Sequence, residues 1–183
     1  WDTGNVSGDK MQVVYAGKPL QAFTKYFWSV TIRDDRKKEQ RSAIHCFETG
    51  MMDMKKWRGA WIDDGKDMDE KPAPYFRKAF TLDRKIVSAR AYIAVAGLFE
   101  LYLNGEKVGN HRLDPMYTRF DRRNLYVTYD ITPQLRQGEN AVGVLLGNGW
   151  YNHQSKAVWD FDRAPWRARP AFCMDIRIVY DDG

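Results

Sequence analysis

The chain has 183 residues, of which 44% are hydrophobic and 14% aromatic, and 29 Lys and Arg against 24 Asp and Glu give a net charge of +5. At roughly 100–200 residues per domain, this length predicts one domain, or one domain plus a fragment, with a real core, which excludes low-complexity disorder. No apolar run approaches the roughly 18 residues of a transmembrane helix, so no membrane partner is expected.

The basic balance does not predict a nucleic-acid partner, because charges of both signs are mixed along the chain, as in 33–39 and 114–123. Such a surface focuses little field on a phosphate backbone. The two cysteines, Cys46 and Cys173, form no metal-binding spacing and are expected to be buried thiols. The chain starts without Met or a leader-like segment, so we expect a piece of a longer protein.

The first elements in chain order are three strand-like segments at 11–15, 24–33 and 43–48. In the second, Tyr26, Trp28, Val30 and Ile32 alternate with more polar residues, which predicts a half-buried strand. The group is too short for a complete sandwich of roughly 100 residues. We therefore interpret 1–49 as the C-terminal part of an upstream β domain, followed by a main domain over 50–183.

Alternation with a period of two continues through the main domain and predicts strands rather than helices. A charged loop over 63–74 leads into its strands. The chain end, 179–183, carries a turn signal without a returning strand, so the C-terminus is expected to be truncated. The inward faces are Phe76, Phe80 and Leu82; Ala89, Ala91, Ile93 and Val95; Phe99, Leu101 and Leu103; Leu125, Val127 and Tyr129; Val142, Val144 and Leu146; and Phe172, Met174, Ile176, Ile178 and Tyr180.

Turn residues separate these strands. Asn104-Gly105 is a strong hairpin signal, and 137–140 and 147–149 punctuate the later strands. Many short strands with turns between them predict an all-β sandwich or jelly roll. Val142, Val144 and Leu146 are predicted to share one core with Phe76, Phe80 and Phe99, leaving Arg77 and Lys78 at the surface.

Three stretches, 57–80, 97–118 and 126–151, carry a family resemblance through Trp57-Arg58-Gly59-Ala60-Trp61, Asn104-Gly105 and Gly147-Asn148-Gly149-Trp150-Tyr151. Together they resemble the N-terminal, non-catalytic region of bacterial α-L-rhamnosidases, glycoside hydrolase family 78. Residues 1–49 resemble the end of the fibronectin- or immunoglobulin-like domain that often precedes that region.

The resemblance implies a galactose-binding-like jelly roll that supports domain assembly with a catalytic domain of the same polypeptide, outside the cytoplasm in the periplasm or secreted. Recognition of a rhamnose-containing substrate is a further expectation. A calcium-dependent rhamnose-binding module and a purely structural spacer remain as alternatives, and no cofactor other than this calcium is implied.

Catalysis by this chain alone is not expected. An inverting glycosidase needs two carboxyl groups roughly 6.5–9.5 Å apart across a cleft. The paired carboxylates lie instead in polar loops, where solvated charge is the simpler interpretation. These pairs are Asp63 with Asp64, Asp67 with Asp69, and Asp181 with Asp182.

Two loops are candidates for carbohydrate binding, because a sugar site combines an aromatic wall with convergent polar groups. Asn148, Trp150 and Tyr151 lie in one loop, and Asp114 and Tyr117 in the other. The alternative is that these aromatic residues only close the edge of the core. We expect Asn148 to hydrogen-bond a neighbouring loop, the one carrying Asp114 and Tyr117, and Trp150 to be partly buried at that rim.

Calcium needs six to eight oxygen ligands, and Asp114, Asp121 and Asn148 are the candidate donors. The run Gly97-Leu98-Phe99 is apolar, whereas a sugar-binding site would have an acidic or amide side chain at this position. The aromatic stretch 159–166 is long for a turn. We expect Trp159 and Trp166 to be exposed there and to pack against another domain.

Overall fold

The computed structural model describes residues 1–9 and 12–182. The chain divides into two compact units, Trp1–Trp57 and Arg58–Gly183, where the sequence placed the division between residues 49 and 50. The strand predicted at 11–15 is not formed over 12–15, which are irregular, and residue 11 lies outside the described residues.

The first unit consists of two antiparallel ribbons. Strand β1 (Lys25–Trp28) pairs with β4 (His45–Glu48), and β2 (Thr31–Arg33) pairs with β3 (Glu39–Arg41). The single strand predicted over 24–33 is therefore divided. The division falls at Val30, whose N–H donates to Ser42 Oγ over 3.0 Å while its carbonyl accepts from Ser42 N over 2.8 Å.

The prediction of a half-buried strand over 24–33 is wrong for this unit. Three residues of the predicted inward face are exposed: Ile32 at 68%, Val30 at 47% and Trp28 at 48%. A two-stranded ribbon covers neither of its faces, so alternation in the sequence produces no buried side here.

The second unit is built from seven antiparallel strands in two sheets. One sheet has the order β5-β10-β7-β8 and the other β11-β6-β9. The strands are β5 (Tyr75–Leu82), β6 (Ile86–Ala96), β7 (Leu98–Leu103), β8 (Glu106–Lys107), β9 (Tyr126–Asp130), β10 (Gly138–Gly147) and β11 (Ala171–Tyr180). Two short 3₁₀ turns at Met54–Lys56 and Phe161–Arg163 are the helical elements among the described residues.

The core of the second unit lies between its two sheets. On β6, Ala91, Ile93 and Val95 are completely buried, and Leu101 of β7 and Val144 of β10 face them from the other sheet. Most other members lie on the predicted inward faces, with Phe76 and Phe80 packed against the cluster and Arg77 and Lys78 exposed. Val108, Ile131 and Leu135 belong to the core without having been predicted, and the predicted Leu125 is not among its members. The predicted all-β sandwich is confirmed.

The hairpin between β7 and β8 forms where its turn signal predicts. Asn104 and Gly105 both have positive φ angles, 53° and 87°, as the tight turn of a right-twisted hairpin requires. The Asn104 amide donates to Gln134 O over 2.8 Å and its Oδ1 accepts from Ala141 N over 2.9 Å. No helix in the described part of the chain is long and apolar enough to cross a membrane.

Candidate functional site

An open groove of about 340 Å³ lies at one end of the second unit, and we call it the aromatic groove. Three chain segments form it: the start of β7, the loop 113–120, and the loop that follows β10. It is lined by Gly97, Leu98, Leu113, Pro115, Tyr117, Phe120, Gly149, Trp150 and His153. Of the predicted carbohydrate-binding residues, Tyr117 and Trp150 line this groove.

Two glycines let the backbone come close at the base of the groove. Gly97 has a φ of 125°, and a Cβ there would lie 2.6 Å from Gly147 O. Gly149 has a φ of 52°, and a Cβ there would lie 2.9 Å from Leu98 Cγ. Neither position accommodates a side chain without displacing its neighbour, so the contact between these loops depends on glycine.

The walls of the groove are aromatic. The Trp150 ring stacks on His153, with centroids 5.6 Å apart and planes at 25°, and its other neighbour is Phe161 at 5.4 Å. Tyr117 meets the same Phe161 ring at 5.7 Å. Trp150 and Tyr117 are each 46% exposed, so each presents part of its ring to solvent while contacting Phe161. Trp150 lies at the same rim as Tyr117, as predicted, but its ring is exposed rather than partly buried.

The stretch 159–166 contributes ring contacts to this wall through Phe161. Trp159 is 75% exposed, as predicted, and packs its edge on Phe161 at 6.0 Å. Trp166 is partly buried against Phe120 and Phe161, and the expectation that it is exposed is wrong. The stretch contains a 3₁₀ turn at Phe161–Arg163, and the Trp166 ring packs on Phe161 of this turn with centroids 6.2 Å apart.

Asn148 makes the predicted hydrogen bond to a neighbouring loop, but the predicted partner loop is wrong. Its Nδ2 donates to Lys71 O over 2.9 Å, in the charged loop before β5. Asn148 follows β10, and β10 is paired with β5, so the loop entering β5 is its neighbour. Asn152, which is completely buried, continues the contact by donating to Met68 O over 2.9 Å.

The charged loop is anchored by two arginines that the sequence analysis did not identify. Arg169 is 6% exposed and forms a bidentate ion pair with Asp64, with Nε 2.9 Å from Oδ1. Its NH1 also donates to Glu70 O over 2.7 Å. Arg167 pairs with Asp69 over 2.6 Å. The interpretation of Asp64 as a solvated loop charge is therefore wrong.

The pKa of Asp64 reflects this anchoring. The hydrogen bonds from Arg169 stabilise the charged carboxylate and lower its pKa from 3.8 to about 2, against the opposing effect of burial. The carboxylate is consequently ionised at neutral pH and serves as a fixed structural anion, unlike a general acid, whose pKa is raised.

The other predicted site residues have different surroundings. Asp114 Oδ2 accepts from Tyr129 OH over 3.2 Å and lies 2.7 Å from His111 Nδ1. Tyr151 packs edge-on against Phe120 at 5.1 Å, and burial raises the pKa of its phenol. The structure places neither residue in the groove lining.

The three candidate calcium donors do not form a cage. The two carboxylate oxygens of Asp121 accept from Arg119, Asn148 Oδ1 accepts from Asn152 Nδ2, and Asp114 Oδ2 accepts from Tyr129 OH. Among residues 1–9 and 12–182, no three His, Cys, Asp or Glu side chains are grouped to hold a metal ion. In this arrangement the three candidate donors do not fit calcium.

The groove can stack with a ring but has no acid–base pair. The described residues that line it include no Asp or Glu, and a glycosidase needs two carboxyl groups across the bond it cleaves. His153, Leu98 and Leu113 line the groove without having been predicted as site residues. For His153 a signal was present, because it lies three positions after Trp150 in the loop already selected.

Comparison with known families identifies both parts of the chain. The family model for the α-L-rhamnosidase N-terminal domain matches residues 84–183. A second family model, for the Rha78A-like N-terminal immunoglobulin domain, matches residues 1–53.

Relatives that align with most or all of the chain belong to the same group of proteins as these family models. An α-L-rhamnosidase of Formosa agariphila is 35% identical over 100% of this chain and 22% of its own length. The structure of an α-L-rhamnosidase from Dictyoglumus thermophilum superimposes with a TM-score of 0.83 at 34% identity, covering 100% of this chain and 21% of that one. The structure of the native α-L-rhamnosidase from Aspergillus terreus superimposes with a TM-score of 0.80 at 29% identity, covering 91% of this chain and 20% of that one. The chain thus spans about a fifth of the length of the relatives it matches.

Proposed function

The chain belongs to the α-L-rhamnosidase N-terminal domain family, and from this premise we propose that it is an ancillary module that contacts a rhamnoside substrate at the aromatic groove. The observation that carries the proposal is the groove itself, with Trp150 and Tyr117 each 46% exposed in a preformed concave site. Exposed aromatic rings in such a site are typical of ligand binding. Its partner is the catalytic domain of the same polypeptide, which supplies the acid and base.

Phenyl α-L-rhamnoside is the probe, because it carries both the sugar and an aglycone. Titration into the 183-residue chain is expected to change tryptophan fluorescence saturably, since Trp150 lies in the wall. The change is expected to be lost in Trp150→Ala and retained in Trp61→Ala, which alters a 50% exposed tryptophan that does not line the groove. An unaltered spectrum in the parent chain would favour the structural spacer.

The calcium-dependent rhamnose-binding module predicts a different titration. In that case the response to the rhamnoside requires added CaCl₂ and disappears with EDTA. Because Asp114, Asp121 and Asn148 are bound to separate protein groups, we expect the same binding curve in CaCl₂ and in EDTA. A curve that forms only with calcium would replace the present proposal with the calcium-dependent one.

A further inference from the structure

The side chains lining the aromatic groove offer few polar atoms. Among its nine lining residues, only Tyr117, Trp150 and His153 carry a side-chain nitrogen or oxygen. A sugar ring carries a hydroxyl on most of its carbons, and each hydroxyl that loses water without gaining a partner weakens binding. The lining is therefore better matched to a ligand with few hydroxyl groups.

The nearby amide and carboxylate groups are already engaged elsewhere. Asn148 donates to Lys71 O, and Asp114 accepts from Tyr129, so these side chains serve the loops around the groove. Turning either one toward a sugar would break an existing hydrogen bond. The described lining therefore combines an aromatic wall with few polar side chains, where a sugar site needs several convergent ones.

The wall has the geometry of a stacking surface. Trp150 and His153 lie nearly parallel, with planes at 25°, so the exposed part of Trp150 is fixed as one flat face. Phe161 also packs on Trp150, with ring centroids 5.4 Å apart and planes at 48°. Aromatic pairs add attraction beyond area burial in offset-stacked or edge-to-face arrangements, and a planar ligand can adopt either one here.

We propose that the aromatic groove binds the aromatic aglycone ring of an aryl glycoside, leaving its sugar at the open side. The proposal rests on the proposed contact between this groove and a rhamnoside, and it specifies which half of the substrate the groove holds. The volume of about 340 Å³ is at the lower end of the ~300–1,000 Å³ range of ligand pockets, enough for a small ring system.

Saturation-transfer NMR on phenyl α-L-rhamnoside separates the two halves of the ligand. With the 183-residue chain saturated, the aryl protons are expected to receive at least twice the transfer of the sugar protons. Phenol is expected to compete for the site, and methyl α-L-rhamnoside is expected to compete at least tenfold more weakly.

Variants assign the signal to the groove. Trp150→Ala and, independently, Tyr117→Ala are each expected to weaken phenol binding at least fivefold. Trp159→Ala is the matched control, because it removes a tryptophan that packs on the same Phe161 but does not line the groove. A circular-dichroism melt checks that each variant is folded. If Trp150→Ala does not fold, Tyr117→Ala carries the test.

The outcomes separate this inference from the proposed function. Transfer mainly to the sugar protons, with methyl α-L-rhamnoside as the stronger competitor, overturns the aglycone proposal and leaves the rhamnoside contact intact. No transfer to either half overturns both. Phenol binding that survives both Trp150→Ala and Tyr117→Ala places the ligand outside the groove and also overturns the proposal.

Discussion

Asp64 illustrates how a buried cation changes the role of a loop carboxylate. Arg169 lowers the Asp64 pKa to about 2 from 3.8, so the folded state binds this proton less readily than the unfolded state does. The stabilisation is complete above the unfolded pKa and is lost as pH falls from about 4 to about 2. From the size of the pKa difference, it amounts to at most about 2 kcal/mol.

Asp64→Asn is therefore expected to destabilise the chain by about 2 kcal/mol or more at pH 7, because it leaves Arg169 buried without its partner. Urea denaturation at pH 7 and pH 3 measures this, and the difference between parent and variant is expected to shrink at the lower pH. Asp182→Asn is the control, since its ion pair with Arg84 is about half exposed on both sides and such pairs contribute little. Equal losses in the two variants would refute the anchoring role of Asp64.

Asn148 is the other residue whose side chain joins the charged loop to the sandwich. Removing its bond to Lys71 O with Asn148→Ala is expected to cost about 1 kcal/mol, or roughly 3 °C in melting temperature. Asn110→Ala, at an exposed position between β8 and β9, is the control and is expected to melt like the parent. A melting temperature unchanged in Asn148→Ala would show that the loop is held without this bond.

At the scale of elements, strands with one face on the core of the sandwich were predictable from the sequence. The faces of β6, β7 and β10 are buried as predicted because each of these strands lies in a sandwich, where one side always meets the core. The same alternation gave a wrong prediction of a buried face for β1 and β2, since a two-stranded ribbon has no second layer to cover it. Period alone reports which side chains share a face, not whether that face is covered.

Contacts between loops were not predictable in the same way. The aromatic groove joins residues from three separate segments, and its alignment depends on the order of strands in the sheets. Arg169 and Asp64 are distant in sequence, and nothing in either local pattern indicates their ion pair. The sequence identified Trp150 and Tyr117 from composition, but their shared neighbour Phe161 follows from the fold.

The start of β7 and the end of β10 approach each other closely at Gly97, and a substitution at this position tests whether glycine is required. Gly97→Ala is expected to destabilise the chain by about 2 kcal/mol or more, since its Cβ would lie 2.6 Å from a backbone oxygen at a positive φ. Gly143→Ala in β10 is the matched control, because its Cβ would make ordinary contacts, 3.6 Å at the nearest. Chemical denaturation compares the two. A Gly97→Ala chain as stable as Gly143→Ala would show that this backbone relaxes freely.

At the scale of the whole molecule, the two units differ in how much each sheet is covered. The second unit buries Ala91, Ile93 and Val95 completely between two sheets. In the first unit, Phe27 and Ile32 are each 68% exposed on two-stranded ribbons. Isolated two-stranded ribbons are marginally stable in water, whereas strands in a packed core open only with the whole domain.

Hydrogen–deuterium exchange of the 183-residue chain is therefore expected to differ between the units. Peptides from β6, β7 and β10 are expected to remain protected for hours, and peptides from β1–β4 to exchange within about a minute, because their hydrogen bonds open locally. Peptides from 113–120 serve as an internal reference for loop exchange. Protection in β1 and β4 equal to that in β6 would show that the exposed apolar faces of the first unit are covered in solution, and a concentration series would then test whether a second copy of the chain covers them.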